Sequence, residues 1–113
     1  MTPKASQKSG ATVITLKGNL MGGPDASTLN AQLHELIDAG KKHVVIDLKK
    51  VDFVNSSGLG LLIGGISTMK NAGGALKFAN ASPKIIELIA LTKLGSLFDL
   101  HPSVDAAVQS FNQ

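Results

Sequence analysis

The chain has 113 residues, 43% hydrophobic and 17% charged, a length and balance that suit one domain around one buried core, read here as spanning residues 1–113. It contains no cysteine, which excludes disulfide frameworks, thiolate metal sites and thiol nucleophiles. The net charge of +3 raises the question of a nucleic-acid partner, but all 11 basic residues are lysines scattered along the chain, and Tyr and Trp are absent, so neither bidentate guanidinium contacts nor base stacking is available.

The first residues, Met1-Thr2-Pro3-Lys4-Ala5-Ser6-Gln7-Lys8, carry no apolar signal region, and no later apolar run approaches the length of a bilayer span. A cytoplasmic protein without membrane insertion is expected. Thr12-Val13-Ile14-Thr15-Leu16-Lys17 alternates polar and apolar residues, as a half-buried strand does, with a weaker strand before the Ser9-Gly10 break. Gly18 to Gly23 reads as a loop. A helix then opens on Pro24 and Asp25, buries Leu29, Leu33, Leu36 and Ile37, and stops at Gly40.

His43-Val44-Val45-Ile46-Asp47-Leu48, within a strand read from Lys41 to Leu48, is β-branched and almost continuously apolar, the pattern of a strand buried on both faces. After it, Asp52-Phe53-Val54 leads into a polar turn, Asn55-Ser56-Ser57-Gly58. The next helix is expected from about Ser57 to Asn71, with Leu59, Leu62, Ile63, Ile66 and Met69 facing inward. Ala75 to Ala79 is a short strand. Ser82 and Pro83 cap a further helix in which Ile85, Ile86, Leu88, Ile89 and Leu91 face largely inward, and Gly95 closes it. Leu97 to Leu100 is a brief edge strand, and Ser103 caps a last helix carrying Val104, Ala107, Val108 and Phe111. Strands alternating with helices require crossover connections, so the fold class is α/β with a mixed, mostly parallel central sheet.

Catalytic groups are sparse. His34, His43 and His101 share no metal-ligand spacing, and a lone histidine among apolar neighbours is usually structural. Asp47 and Asp52 have no second acid at a fixed helical offset. Gly58-Leu59-Gly60 lacks the third glycine of a dinucleotide fingerprint, Gly22-Gly23 is not followed by Gly-Lys-Ser/Thr, and no Gly-x-Ser-x-Gly elbow occurs. Neither an enzyme nor a cofactor or metal site is expected.

Two features remain. Ser56 and Ser57 stand where a helix starts, a place where unpaired backbone N–H groups favour a phosphate, although a serine there is ordinarily just an N-cap. The same helix presents Gly60, Gly64, Ser67 and Asn71 opposite its apolar stripe, with Leu61 and Gly65 beside them. Interior glycines cost about 1 kcal/mol each relative to alanine. Either another helix of the chain packs closely on them, or they form a smooth platform for another protein with Leu61 as an exposed apolar contact.

At these residues the sequence resembles the STAS domains, in particular the small bacterial anti-sigma factor antagonists. The resemblance covers nearly the whole chain and is carried by Gly18-Asn19-Leu20 leading to Pro24-Asp25-Ala26, by Ile46-Asp47-Leu48, and by Asn55-Ser56-Ser57-Gly58-Leu59-Gly60. It implies partner switching: the unphosphorylated protein binds an anti-sigma factor that is also a serine kinase, the kinase phosphorylates the residue matching Ser56 (Ser57 is the fallback), and a serine phosphatase resets it. The implied partner surface comprises Met21, Gly22, Gly23, Pro24 and Asp25 before the first helix, then Asn55, Ser56, Ser57, Gly58, Leu59, Gly60, Leu61 and Gly64. The family's motif usually begins with aspartate where this chain has Asn55, and an acidic residue often stands at the place of Met21. The alternative reading is a constitutive STAS scaffold in a regulatory or transport assembly, using the same helix face without phosphorylation.

Overall fold

The computed structural model describes residues 3–112. Its elements follow the order β1 (Lys4–Lys8), β2 (Ala11–Leu20), α1 (Pro24–Asp38), β3 (His43–Val54), α2 (Ser56–Asn71), β4 (Ala75–Ala79), α3 (Pro83–Leu91), a 3-10 turn (Gly95–Leu97), β5 (Leu100–His101) and α4 (Val104–Ser110). The strands form one sheet in the order β1-β2-β3-β4-β5, in which β1 runs antiparallel to β2 and the other neighbours are parallel.

Alternation along the central strands sends successive side chains to opposite faces. Ile14 and Leu16 of β2, Val44, Ile46 and Leu48 of β3, and Leu76 and Phe78 of β4 join Leu29 and Leu33 of α1, Leu59 and Leu62 of α2, and Ile85 and Ile89 of α3 in the main core. On the other face, Val13, Val45 and Ala79 meet Ala107 and Val108 of α4. His43 stacks on Phe111 with ring centroids 4.5 Å apart, and the Lys77 ammonium lies 4.8 Å from the same ring, which anchors the end of α4.

Several boundaries differ from the sequence reading. Gly18, Asn19 and Leu20 belong to β2 rather than to a loop, because β2 and β3 slip register between Thr15 and Lys17 and again between Gly18 and Asn19. Gly18, at φ +87, supplies the left-handed backbone at that irregularity. β3 continues to Val54, well past the apolar stretch ending at Leu48, because the pairing with β2 continues to its last residue. In α3, Ile86 and Leu91 point outward, since a nine-residue helix on the edge of the sheet has only one inward stripe. Thr92 terminates α3, and Gly95 begins the 3-10 turn instead of closing the helix. The last edge strand falls at Leu100–His101.

Candidate functional site

The register slips of β2 bring its end level with the end of β3, so Leu20 pairs with Val54 and the Asn55 N–H donates to the Leu20 carbonyl at 3.2 Å. The loop from Met21 to Gly23 and the turn at Asn55 therefore leave the same carboxyl edge of two adjacent parallel strands. That edge is where α/β sheets generally place their binding sites.

Asn55, not a serine, caps α2: its Oδ1 accepts from the Gly58 N–H at 2.7 Å, while its own carbonyl accepts from Leu59 at 2.9 Å. Ser56 and Ser57 become the first two residues of the helix, with exposed side chains and no hydrogen-bond partner for either hydroxyl among the described residues. Their backbone N–H groups occupy the positions that lack intrahelical acceptors. No acidic residue lies in this first turn, so the positive end of the helix dipole is not offset within it.

Glycine shapes the neighbourhood through close approach. A β-carbon on Gly58 would collide with the Leu20 carbonyl oxygen, so only glycine lets α2 start against the end of β2. Gly22, at φ +81, lies directly against Ser57. Gly23, also at positive φ, precedes α1 without a side-chain cap, and Pro24 takes the first helical position, where a missing N–H costs nothing.

Between α1 and α2 runs a groove of about 580 Å³ lined by Gly22, Gly23, Ala26, Asn30, Ser57, Gly60, Gly64 and Thr68 among others. A β-carbon on Gly60 or Gly64 would meet nothing within 4 Å, so these two glycines are not there to admit a neighbouring helix. Gly65 is different: it packs against Leu33 and Leu76 inside the protein. The groove walls are tied together by Thr68, whose hydroxyl donates to Asn30 Oδ1 at 3.0 Å.

Of the residues read from the sequence as a partner surface, Met21 (48% exposed), Gly23, Pro24, Ser56, Ser57, Gly60 and Gly64 are exposed, and Asp25 and Asn55 are half-buried. Leu61 is only 7% exposed and belongs to the main core, which overturns its reading as an exposed apolar contact; it lines the α1–α2 groove from within. Leu59 and Gly58 are buried and Gly22 is buried beneath Ser57, so these three shape the site from below. Sequence reasoning missed the α1 wall. Its signal was present, since Ala26 and Asn30 are four residues apart on α1 as Gly60 and Gly64 are on α2, but it becomes visible only once the two helices are known to be neighbours.

Away from this edge, Asp99, His101 and Ser110 are close, yet Asp99 Oδ1 and Ser110 Oγ both meet Nε2 of His101, at 2.7 and 3.5 Å. A relay would need one partner on each ring nitrogen. The Ser110 hydroxyl donates instead to the Ala107 carbonyl at 2.7 Å. No helix among the described residues is long and apolar enough to cross a membrane.

Comparison with known proteins places this geometry in a family. The STAS domain profile matches residues 2–107. The chain is 33% identical over 84 residues, 74% of its length and 76% of the relative's, to the anti-sigma-B factor antagonist of Bacillus subtilis, and 26% identical over 105 residues, 92% and 86% of the two lengths, to the anti-sigma F factor antagonist of Paenibacillus polymyxa. Its fold is similar to that of an anti-sigma factor antagonist from Mycobacterium paratuberculosis (TM-score 0.82, 23% identity, 99% of this chain and 94% of that one) and to the Bacillus cell fate determinant SpoIIAA in its phosphorylated form (TM-score 0.70, 20% identity, 96% and 99%). The chain belongs to the STAS domain family.

Proposed function

We propose that this protein is an anti-sigma factor antagonist acting in the cytoplasm by partner switching. Unphosphorylated, it binds an anti-sigma factor that is also a serine kinase and so frees the sigma factor; phosphorylation of Ser56 ends the complex, and a serine phosphatase restores it. The observation that carries this reading is the placement of an exposed serine at the first position of α2, beside a groove whose α2 wall is kept open by Gly60 and Gly64. The named functions of the two antagonist relatives support the partner class, and the existence of SpoIIAA in a phosphorylated form supports the switch.

The physics of the switch is local. A phosphoserine adds about −1.5 to −2 charges at pH 7. At Ser56 that charge is held by the N-terminus of α2 and by the two free N–H groups of its first turn, so the antagonist's own fold tolerates it. A partner surface fitted to neutral hydroxyls and a neutral Asn55 is left facing a desolvated dianion, which weakens the complex. The Ser56 oxygen is the acceptor: it forms the bond to the γ-phosphorus of ATP as ADP leaves, and the kinase supplies the base that takes its proton and the groups that stabilise the transfer. Incubation with the anti-sigma serine kinase of the same organism and ATP, followed by mass spectrometry, tests the assignment. Phosphate on Ser56 supports it, whereas phosphate on neither Ser56 nor Ser57 contradicts it.

One observation favours a second reading. Ser57, not Ser56, lines the α1–α2 groove, so the groove can dock a partner without engaging Ser56. On that reading the chain is a constitutive scaffold subunit, Gly64→Gln disrupts the complex, and every Ser56 variant is silent.

A further inference from the structure

A second concavity, of about 240 Å³, opens between the end of β3 and α3. Val54, Ile85 and Leu88 line it, and Phe53 and Leu91 stand at its mouth, 50% and 74% exposed. It adjoins the proposed switch in the chain, because Asn55 and Ser56 separate Val54, which lines this groove, from Ser57, which lines the α1–α2 groove. Of the six large hydrophobic side chains exposed among the described residues, two, Phe53 and Leu91, flank this concavity. A concavity of apolar lining flanked by two large exposed apolar side chains marks a contact surface in a way that a single scattered one does not.

Size and charge narrow the occupant. The volume is below the roughly 300–1,000 Å³ that encloses a typical small-molecule ligand, and suits an apolar side chain delivered by a larger partner. The rim carries Asp52 from β3 and Lys84 and Glu87 from α3. Lys84 and Glu87 are three residues apart and share a helix face, so the ammonium offsets one carboxylate and the rim keeps an excess negative charge in a chain of net charge +3. Among the described residues neither Asp52 nor Glu87 is engaged in an ion pair. A basic group at the mouth would face a rim with one net negative charge, while an anionic headgroup would be disfavoured by it.

We propose that this groove is a second anchor for the partner that reads Ser56, and that it receives a segment in which a large apolar side chain adjoins a lysine or arginine. The identity of the protein supplying that segment rests on the anti-sigma reading; the chemistry of the groove does not. The two anchors lie on either side of the turn, so a partner engaging both straddles Ser56.

The test is an NMR titration of the full-length, isotope-labelled protein with acetyl-Lys-Leu-Lys-amide, with acetyl-Glu-Leu-Glu-amide and with decanoate, alongside a dilution series of the protein alone. The basic peptide should move the amide signals of Phe53, Leu88 and Leu91 at about fivefold lower concentration than the acidic one at low salt. Leu91→Lys, an exposed substitution that leaves the core intact, should remove those shifts, and Asp52→Asn should narrow the gap between the peptides. Equal response to both peptides, a stronger response to decanoate, shifts that appear on concentrating the protein alone, or no shift at these residues would each overturn the proposal. Ser56→Asp should retain the shifts at Phe53, Leu88 and Leu91. A failed switch therefore does not silence the groove, and a silent groove leaves any Ser56-dependent binding of the intact partner standing.

Discussion

Gly22 and Ser57 touch so closely that a β-carbon placed on Gly22 would lie 2.7 Å from that of Ser57. Through this contact the loop before α1 and the first turn of α2 form one surface, so the position of Met21 is linked to that of the paired serines. Gly22→Ala should combine this clash with the strain of φ +81, for a loss of about 2 kcal/mol in chemical denaturation. Gly10→Ala is the control: at φ +85 with open space around it, it carries the backbone strain alone, about 1 kcal/mol. Equal losses would mean that the Gly22–Ser57 contact is slack.

The α2 glycines should separate into two classes. Gly58→Ala should prevent stable folding or cost at least about 3 kcal/mol, because the added carbon overlaps backbone that cannot retreat. Gly60→Ala and Gly64→Ala should each stabilise the protein by about 0.5–1 kcal/mol, since both sit in a helix with open space beside them. The same two variants should bind the anti-sigma partner more weakly by narrowing the groove. Thermal melts that show destabilisation would place hidden structural demands on Gly60 or Gly64.

Asn55 separates folding from recognition. Removing its cap in Asn55→Ala should cost about 1 kcal/mol, whereas Asn55→Asp keeps the acceptor for Gly58 and adds a favourable charge at the helix start, so its stability should equal or exceed that of the wild type. The charge stands beside Ser56, however, and should slow phosphorylation if the kinase surface is fitted to a neutral residue. Denaturation curves and initial phosphorylation rates measure the two effects independently.

The Lys77–Asp99–His101 cluster provides a pH dependence far from the site. Burial raises the Asp99 carboxyl pKa, but the hydrogen bonds and charges of Lys77 and His101 outweigh it and hold the value below the ordinary one. With the folded value below the unfolded one, the stabilisation is complete above the ordinary aspartate range and disappears as the pH falls through the folded value. Asp99→Asn should therefore melt lower than the wild type at pH 7, with the gap closing at strongly acid pH. The gap should be small, because the carboxylate is about half exposed and screened by solvent. A gap that does not change with pH would show that the pairing is not its cause.

Element order was legible because the signals were strong and local. Pro24 and Gly40 bracket α1, Ser82-Pro83 starts α3, Ser103 caps α4, and the apolar run from Val44 to Ile46 admits little but a central strand. The misread details all depend on tertiary neighbours. Gly18 to Leu20 looks like a loop because its glycine and asparagine favour turns, yet pairing with the long β3 draws it into the sheet. Leu61 looks exposed on a helical projection of α2 alone and is buried where α1 packs against α2. Leu91 looks inward by spacing and is exposed because it is the last residue of α3 and flanks the open concavity beside β3 instead of the core. At the site, the paired serines and the glycine face could be read directly, whereas the groove's second wall and the contact of Gly22 with Ser57 exist only when α1 and α2 are brought together.

The central claim is that one hydroxyl controls one interface. Calorimetric titration of the anti-sigma serine kinase of the same organism with wild-type, Ser56→Ala, Ser56→Asp and enzymatically phosphorylated protein tests it most directly. Wild type and Ser56→Ala should bind alike, Ser56→Asp at least about tenfold more weakly, and the phosphorylated protein most weakly of all. Equal affinity across all four forms would contradict it and leave the constitutive scaffold as the reading of this surface.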